Sequence, residues 1–127
     1  MLMKKQIVLA VALLLTTAAA NAGGAKLSCG KQKWDGTELG VTKCRYSGNS
    51  LSDAYTAALK KEGGNGVLPK TLPTRNMKRQ INEETETSIQ WTGKKIVNVC
   101  VNSEGFDCFE LKQQKDHVDV TFTVATP

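Results

Sequence analysis

Histidine is almost missing from this chain: His117 is the only one in 127 residues. The four cysteines, Cys29, Cys44, Cys100 and Cys108, contain no C-x-x-C pair, so a zinc site would need every thiol. No metal and no cofactor is expected. The serines carry no nucleophile-elbow pattern, and Gly63-Gly64-Asn65-Gly66 lacks the Lys-Ser/Thr of a phosphate loop. Aromatic residues make up only 6% of the chain, and none stands among the basic residues Lys70, Arg75, Lys78 and Arg79, which argues against a stacking nucleic-acid surface. The one long apolar run, residues 7–15, falls short of the ~20 residues that cross a bilayer as a helix. There is no internal repeat and no low-complexity tract.

What is present begins with an address. Lys4 and Lys5 precede that apolar run, and Ala20-Asn21-Ala22 closes it with a small-x-small site, the three-part pattern of a secretory signal peptide. Residues 1–22 are therefore expected to be removed, leaving 23–127 as a single disulfide-stabilised domain in the periplasm or outside the cell. A lipoprotein signal is excluded because Lys26, not Leu, stands three residues before Cys29. After processing no transmembrane segment is expected, and cytoplasmic nucleic acid is not an expected partner. An even number of cysteines in a short exported chain reads as a disulfide framework. Loss of Lys4 and Lys5 lowers the formal charge from +5 to +3, a weak preference for acidic partners.

The segment Lys94 to Leu111 sets the register of the whole chain. At a period of two, Val97, Val99 and Val101 share one face; folding back at Ser103-Glu104-Gly105 brings Phe109 and Leu111 beside them. The same fold-back sets Cys100 opposite Cys108, which leaves Cys29 to pair with Cys44. Upstream, Ile89 and Trp91 alternate with polar neighbours before a turn at Thr92-Gly93-Lys94. Downstream, Lys115-Asp116 turns into Val118, Val120, Phe122 and Val124. These runs predict a four-stranded antiparallel β-meander.

Ser47 to Gly64 predicts one amphipathic helix, capped by Ser50 or Ser52, with Leu51, Ala54, Tyr55, Ala58 and Leu59 on its apolar stripe and Gly63 closing it. Such a helix must lie on the valine face. Residues 27–46 read as a disulfide-closed hairpin or irregular loop turning near Asp35-Gly36-Thr37, with Trp34 favoured as a lid on the core. The expected class is α+β: the meander, one helix on it, and the N-terminal disulfide-closed hairpin or loop.

Residues 64–80 interrupt the pattern with Pro69 and Pro73 and four uncompensated positive charges. They read first as a solvated connection. If the loop is functional, its prolines lower the ordering cost of binding, and the contact residues would be Leu68, Lys70, Leu72, Thr74 and Arg75, with Trp34 and Phe106 as aromatic anchors. The expected function is an exported protein-binding module, a periplasmic inhibitor or immunity-type protein whose partner is another exported protein. The alternatives are a binder of anionic envelope polymer, if the basic residues between Lys70 and Arg79 share a face with Lys26, Lys31, Lys33 and Lys43 on the segment of Trp34, and a small hydrolase combining His117 with Glu110 and an arginine. No catalytic residue is assigned, and the chain is not expected to be an enzyme.

Overall fold

The computed structural model describes residues 24–34, 36, 38–62 and 66–125. The signal-peptide reading of residues 1–22, the turn residues Asp35 and Thr37, and the helix-closing Gly63 lie outside them. The described chain carries eight strands: β1 (Leu27–Cys29), β2 (Lys33–Trp34), β3 (Leu39–Tyr46), β4 (Met77–Gln80), β5 (Glu86–Thr92), β6 (Ile96–Asn102), β7 (Phe106–Gln113) and β8 (Val118–Ala125). One helix, α1 (Leu51–Glu62), lies between β3 and β4.

All eight strands join one antiparallel sheet in the order β1-β3-β8-β7-β6-β5-β4, with β2 also on β3. This corrects the expected class of a four-stranded meander with an appended N-terminal hairpin or loop: the protein is an eight-stranded antiparallel sheet with one short helix. The β5–β8 meander is its centre, and two further pairings enlarge it. The eight residues of β3 pair with β8 along their whole length, from Leu39 opposite Ala125 to Tyr46 opposite Val118. On the far side Met77 to Gln80 pair with Ile89 to Glu86. The basic stretch read as a solvated connection thus ends in an edge strand, where Lys78 and Arg79 are exposed and charge discourages further pairing.

Alternation places Ile89, Trp91, Val97, Val99, Val101, Phe109, Leu111, Val118, Val120, Phe122 and Val124 on one face, continued by Gly40, Thr42, Cys44 and Tyr46. Helix α1 covers part of that face. The Ser50 hydroxyl accepts from the Asp53 amide at 3.2 Å and caps the first turn. Ala54, Tyr55 and Ala58 are buried, and the Tyr55, Phe109 and Phe122 rings follow one another at centroid distances of 5.9 and 5.7 Å.

The segment after the helix covers more of the core. Leu68 is buried in it, and Val67 and Leu72 pack against its margin. The Tyr55 hydroxyl donates to the Pro69 carbonyl at 2.6 Å and the Trp91 indole N–H to the Pro73 carbonyl at 3.1 Å, tying the segment down near both prolines. Burying a leucine side chain contributes about 2 kcal/mol. That gain exceeds what exposed charges contribute to stability, so this part of the loop is a cover for the sheet.

The disulfides are Cys29–Cys44 and Cys100–Cys108. Each joins residues directly opposite one another in a ladder. Cys44 lies on the helix face and Cys100 on the reverse face, so each side of the sheet carries one covalent tie between strands.

Candidate functional site

The edge formed by β1 and β2 is broken by an extra residue. Cys29 pairs with Cys44 and Lys33 with Val41, so Gly30, Lys31 and Gln32 oppose only Thr42 and Lys43. This is a β-bulge, held by the Gly30 amide donating to the Lys43 carbonyl at 2.9 Å. A bulge bends its strand and re-aims the side chains that follow. The residue that follows Lys33 here is Trp34, opposite Gly40. A Cβ on Gly40 would stand 3.2 Å from the Trp34 ring and 3.0 Å from the Gln32 amide nitrogen, so a larger residue there would make both side chains give way by a few tenths of an ångström.

Trp34 is 51% exposed, the only large apolar side chain so exposed among the described residues. The expected lid is instead a surface feature. It lines a cleft of about 550 Å³ together with Gly30, Lys31, Lys33, Val41 and Lys43. None of these three lysines has a carboxylate within ion-pair distance among the described residues; the one lysine or arginine that does is Arg45, 3.9 Å from Asp116. The cleft therefore combines an aromatic surface with unneutralised positive charge.

Phe106 belongs to the same end of the sheet. It pairs with Ala125 of β8, which in turn faces Leu39 of β3, one residue before Gly40. It lines a second cleft of about 370 Å³ whose charged members are Glu84, Glu104 and Asp107. Nearby, burial first and the Asp107 charge second push the Glu62 carboxyl above the usual carboxylate range. Three strand spacings separate β2 from β7, or ~14 Å along the sheet. One end of the sheet thus carries both a basic aromatic cleft and an acidic one, with Trp34 and Phe106 on opposite faces by register.

The five contact residues predicted on the loop do not share that surface. Leu68 is in the core and has little surface to offer a partner, and Leu72 is partly buried against the core. Lys70, Thr74 and Arg75 are exposed. Thr74 and Arg75 line a third cleft of about 410 Å³ with Asn76, Trp91, Gly93 and Lys94, beside the β5–β6 turn, at the opposite end of those strands from the Ser103–Gly105 turn. Sequence reasoning placed Trp91 in the core and Lys94 in a turn. Their convergence with Arg75 depends on the loop being tied to β5, which no spacing signals.

His117 is held by two neighbours. Its Nδ1 lies 2.7 Å from Asp116 Oδ1 and its Nε2 3.0 Å from Asp119 Oδ1. Ionised carboxylates only accept hydrogen bonds, so both contacts form together when both ring nitrogens carry a proton. The hydrogen bond from His117 holds the Asp116 carboxyl below its ordinary range, and the Arg45 charge adds to this. Glu110, the other member of the expected acid-base pair, faces Thr121, two positions along β8 from Asp119. The histidine is bonded into a surface network with Asp116 and Asp119.

No family model, curated protein or solved structure matches this chain. The two disulfides are compatible with an exported protein, and among the described residues no helix is long and apolar enough to cross a membrane.

Proposed function

We propose that this protein is an exported protein-binding module of the inhibitor or immunity type, and that it engages its partner through the sheet end bearing Trp34 and Phe106. The observation that carries the reading is the exposed Trp34 among three unneutralised lysines. Tryptophan dominates the energetics of many interfaces, because one rigid side chain contributes a large area at small entropic cost. The adjacent acidic cleft around Phe106 favours a folded protein over a uniformly anionic polymer. A partner with a complementary charge pattern gains register from both clefts, whereas a polyanion drawn to the lysines is repelled by Glu84, Glu104 and Asp107. By register Trp34, opposite Gly40, lies on the helix face and Phe106, opposite Ala125, on the reverse face, so a partner that meets both does so across the end of the sheet. The rest of the molecule suits the role: disulfides and a bonded bulge fix the display strand before binding and reduce the ordering cost of association.

The test is capture from envelope and culture-fluid extract with the oxidised domain as bait, alongside Trp34→Ala and Phe106→Ala. A stoichiometric protein retained by the parent at moderate salt, and lost or weakened at least about ten-fold by Trp34→Ala, supports the reading. Retention of the same protein by both variants, or capture of anionic polymer alone with release on raising the salt, would remove it.

A further inference from the structure

The third cleft is remote from the proposed protein-binding end and has a different construction. Its walls come from two separate stretches of chain, residues 74–76 before β4 and residues 91–94 at the end of β5. Two hydrogen bonds lock them together: the Trp91 amide donates to Asn76 Oδ1 at 2.7 Å, and its indole N–H donates to the Pro73 carbonyl at 3.1 Å. The first fixes the backbone of β5 against the loop; the second fixes the plane of the indole. Gly93, at φ 72°, turns the chain immediately after β5 and leads to Lys94, which lines the same cleft as Arg75.

The result is an open cleft of about 410 Å³, comparable in volume with small-molecule sites. Two cations line it, no carboxylate does, and neither Arg75 nor Lys94 has an ion-pair partner among the described residues. An anion in the cleft would meet both cations.

We propose that this cleft binds an acidic saccharide, its phosphate or carboxylate held by Arg75 and Lys94 and its ring set against Trp91. The guanidinium presents a planar fork that matches two oxygens of an oxyanion, while the ammonium supplies a second charge from the opposite wall. Thr74 offers a hydroxyl for the sugar. The indole, with its N–H already committed to Pro73, presents apolar surface to the ring rather than a competing donor. The site takes one anionic sugar unit and is independent of the Trp34 surface.

The chain has only two tryptophans, Trp34 and Trp91, so its two indole N–H resonances are assigned by a single Trp34→Phe variant. Titrating the ¹⁵N-labelled, oxidised domain with glucose 6-phosphate, glucuronate, glucose and inorganic phosphate separates the contributions. The expected result is a saturable shift of the Trp91 indole resonance with glucose 6-phosphate and with glucuronate. Both should bind more tightly than inorganic phosphate, and glucose alone should have no effect. Arg75→Gln and Lys94→Gln change exposed side chains and should each weaken binding about ten-fold or more, with the rest of the spectrum in place. Equal affinity for inorganic phosphate and glucose 6-phosphate would overturn the saccharide assignment. No shift with any probe, or unchanged shifts in both variants, would overturn the site.

Discussion

Tyr55 makes the fold depend on pH in a way that can be worked out beforehand. Its ring is fully buried between α1 and the sheet, and its hydroxyl donates to the Pro69 carbonyl at 2.6 Å. Burial pushes its pKa from 10.0 to about 12. A group whose folded pKa is raised contributes stability that is fully present below the unfolded value and lost as pH rises through the folded one. The loss therefore runs from about pH 10 to 12, and at roughly 1.4 kcal/mol per pH unit its upper bound is about 3 kcal/mol, reduced by solvent screening of the part-buried hydroxyl. That is a large share of the stability of a small domain. Tyr55→Phe removes the ionisable hydroxyl and keeps the ring. At neutral pH it should cost about 1 kcal/mol for the lost hydrogen bond and the unpaired Pro69 carbonyl, but its alkaline limb should be flatter than that of the parent. The assay is urea denaturation at pH 8, 10, 11 and 12, with near-ultraviolet tyrosinate absorbance followed in parallel. Only two tyrosines contribute to that absorbance, and Tyr46, also raised by burial and by the Asp53 charge, is common to both proteins. If parent and variant lose stability in parallel from pH 10 to 12, burial of Tyr55 does not govern the alkaline limb and the reasoning fails.

Leu68→Ala should lower stability by about 2–4 kcal/mol, measured as a shift in the denaturant midpoint, because it empties a core position; a loss below about 0.5 kcal/mol would return the proline segment to the status of a solvated loop. Replacing Cys29 and Cys44 together by serine should cost about 3 kcal/mol. The same change should also raise iodide quenching of Trp34 fluorescence, since the strand that displays it is tied to β3 a few residues away; replacing Cys100 and Cys108 should cost similar stability and leave that quenching unchanged.

The parts of the fold that were legible share one property: their partners are close in sequence. The β6–β7 register follows from Val97, Val99 and Val101 alternating toward a turn that sets Cys100 opposite Cys108, and the structure has that register. The pairing of β3 with β8 joins distant segments, and Gly40 and Thr42 occupy core-facing positions where a pattern search looks for branched apolar residues. A Cβ at Gly40 would crowd the Gln32 and Trp34 side chains. Strand β4 was hidden for the opposite reason. Met77-Lys78-Arg79-Gln80 is an edge, so most of its side chains meet water and a single apolar residue cannot show a period. At the surface, Trp34 and Phe106 were singled out as aromatics, but their common location follows only from β3 lying beside β8. The cleft containing Arg75 and Lys94 needed the two hydrogen bonds of Trp91, which are tertiary contacts.

The same contacts explain how a chain with a modest core supports exposed charge at both ends of its strands. The helix stripe, the covering loop and the two disulfides stabilise the sheet without using the lysines around Trp34 or the cations beside Trp91. Only Arg45 among the described lysines and arginines is spent on an ion pair, and that pair is exposed, where it contributes little. Folding and recognition thus fall on separate side chains. Removing an exposed cation should change what the protein holds and leave its melting behaviour close to the parent's, whereas removing Tyr55 or Leu68 should do the reverse. In a domain this small, such a division leaves the exposed cations to binding, because the free energy of folding comes from covalent ties and buried rings elsewhere.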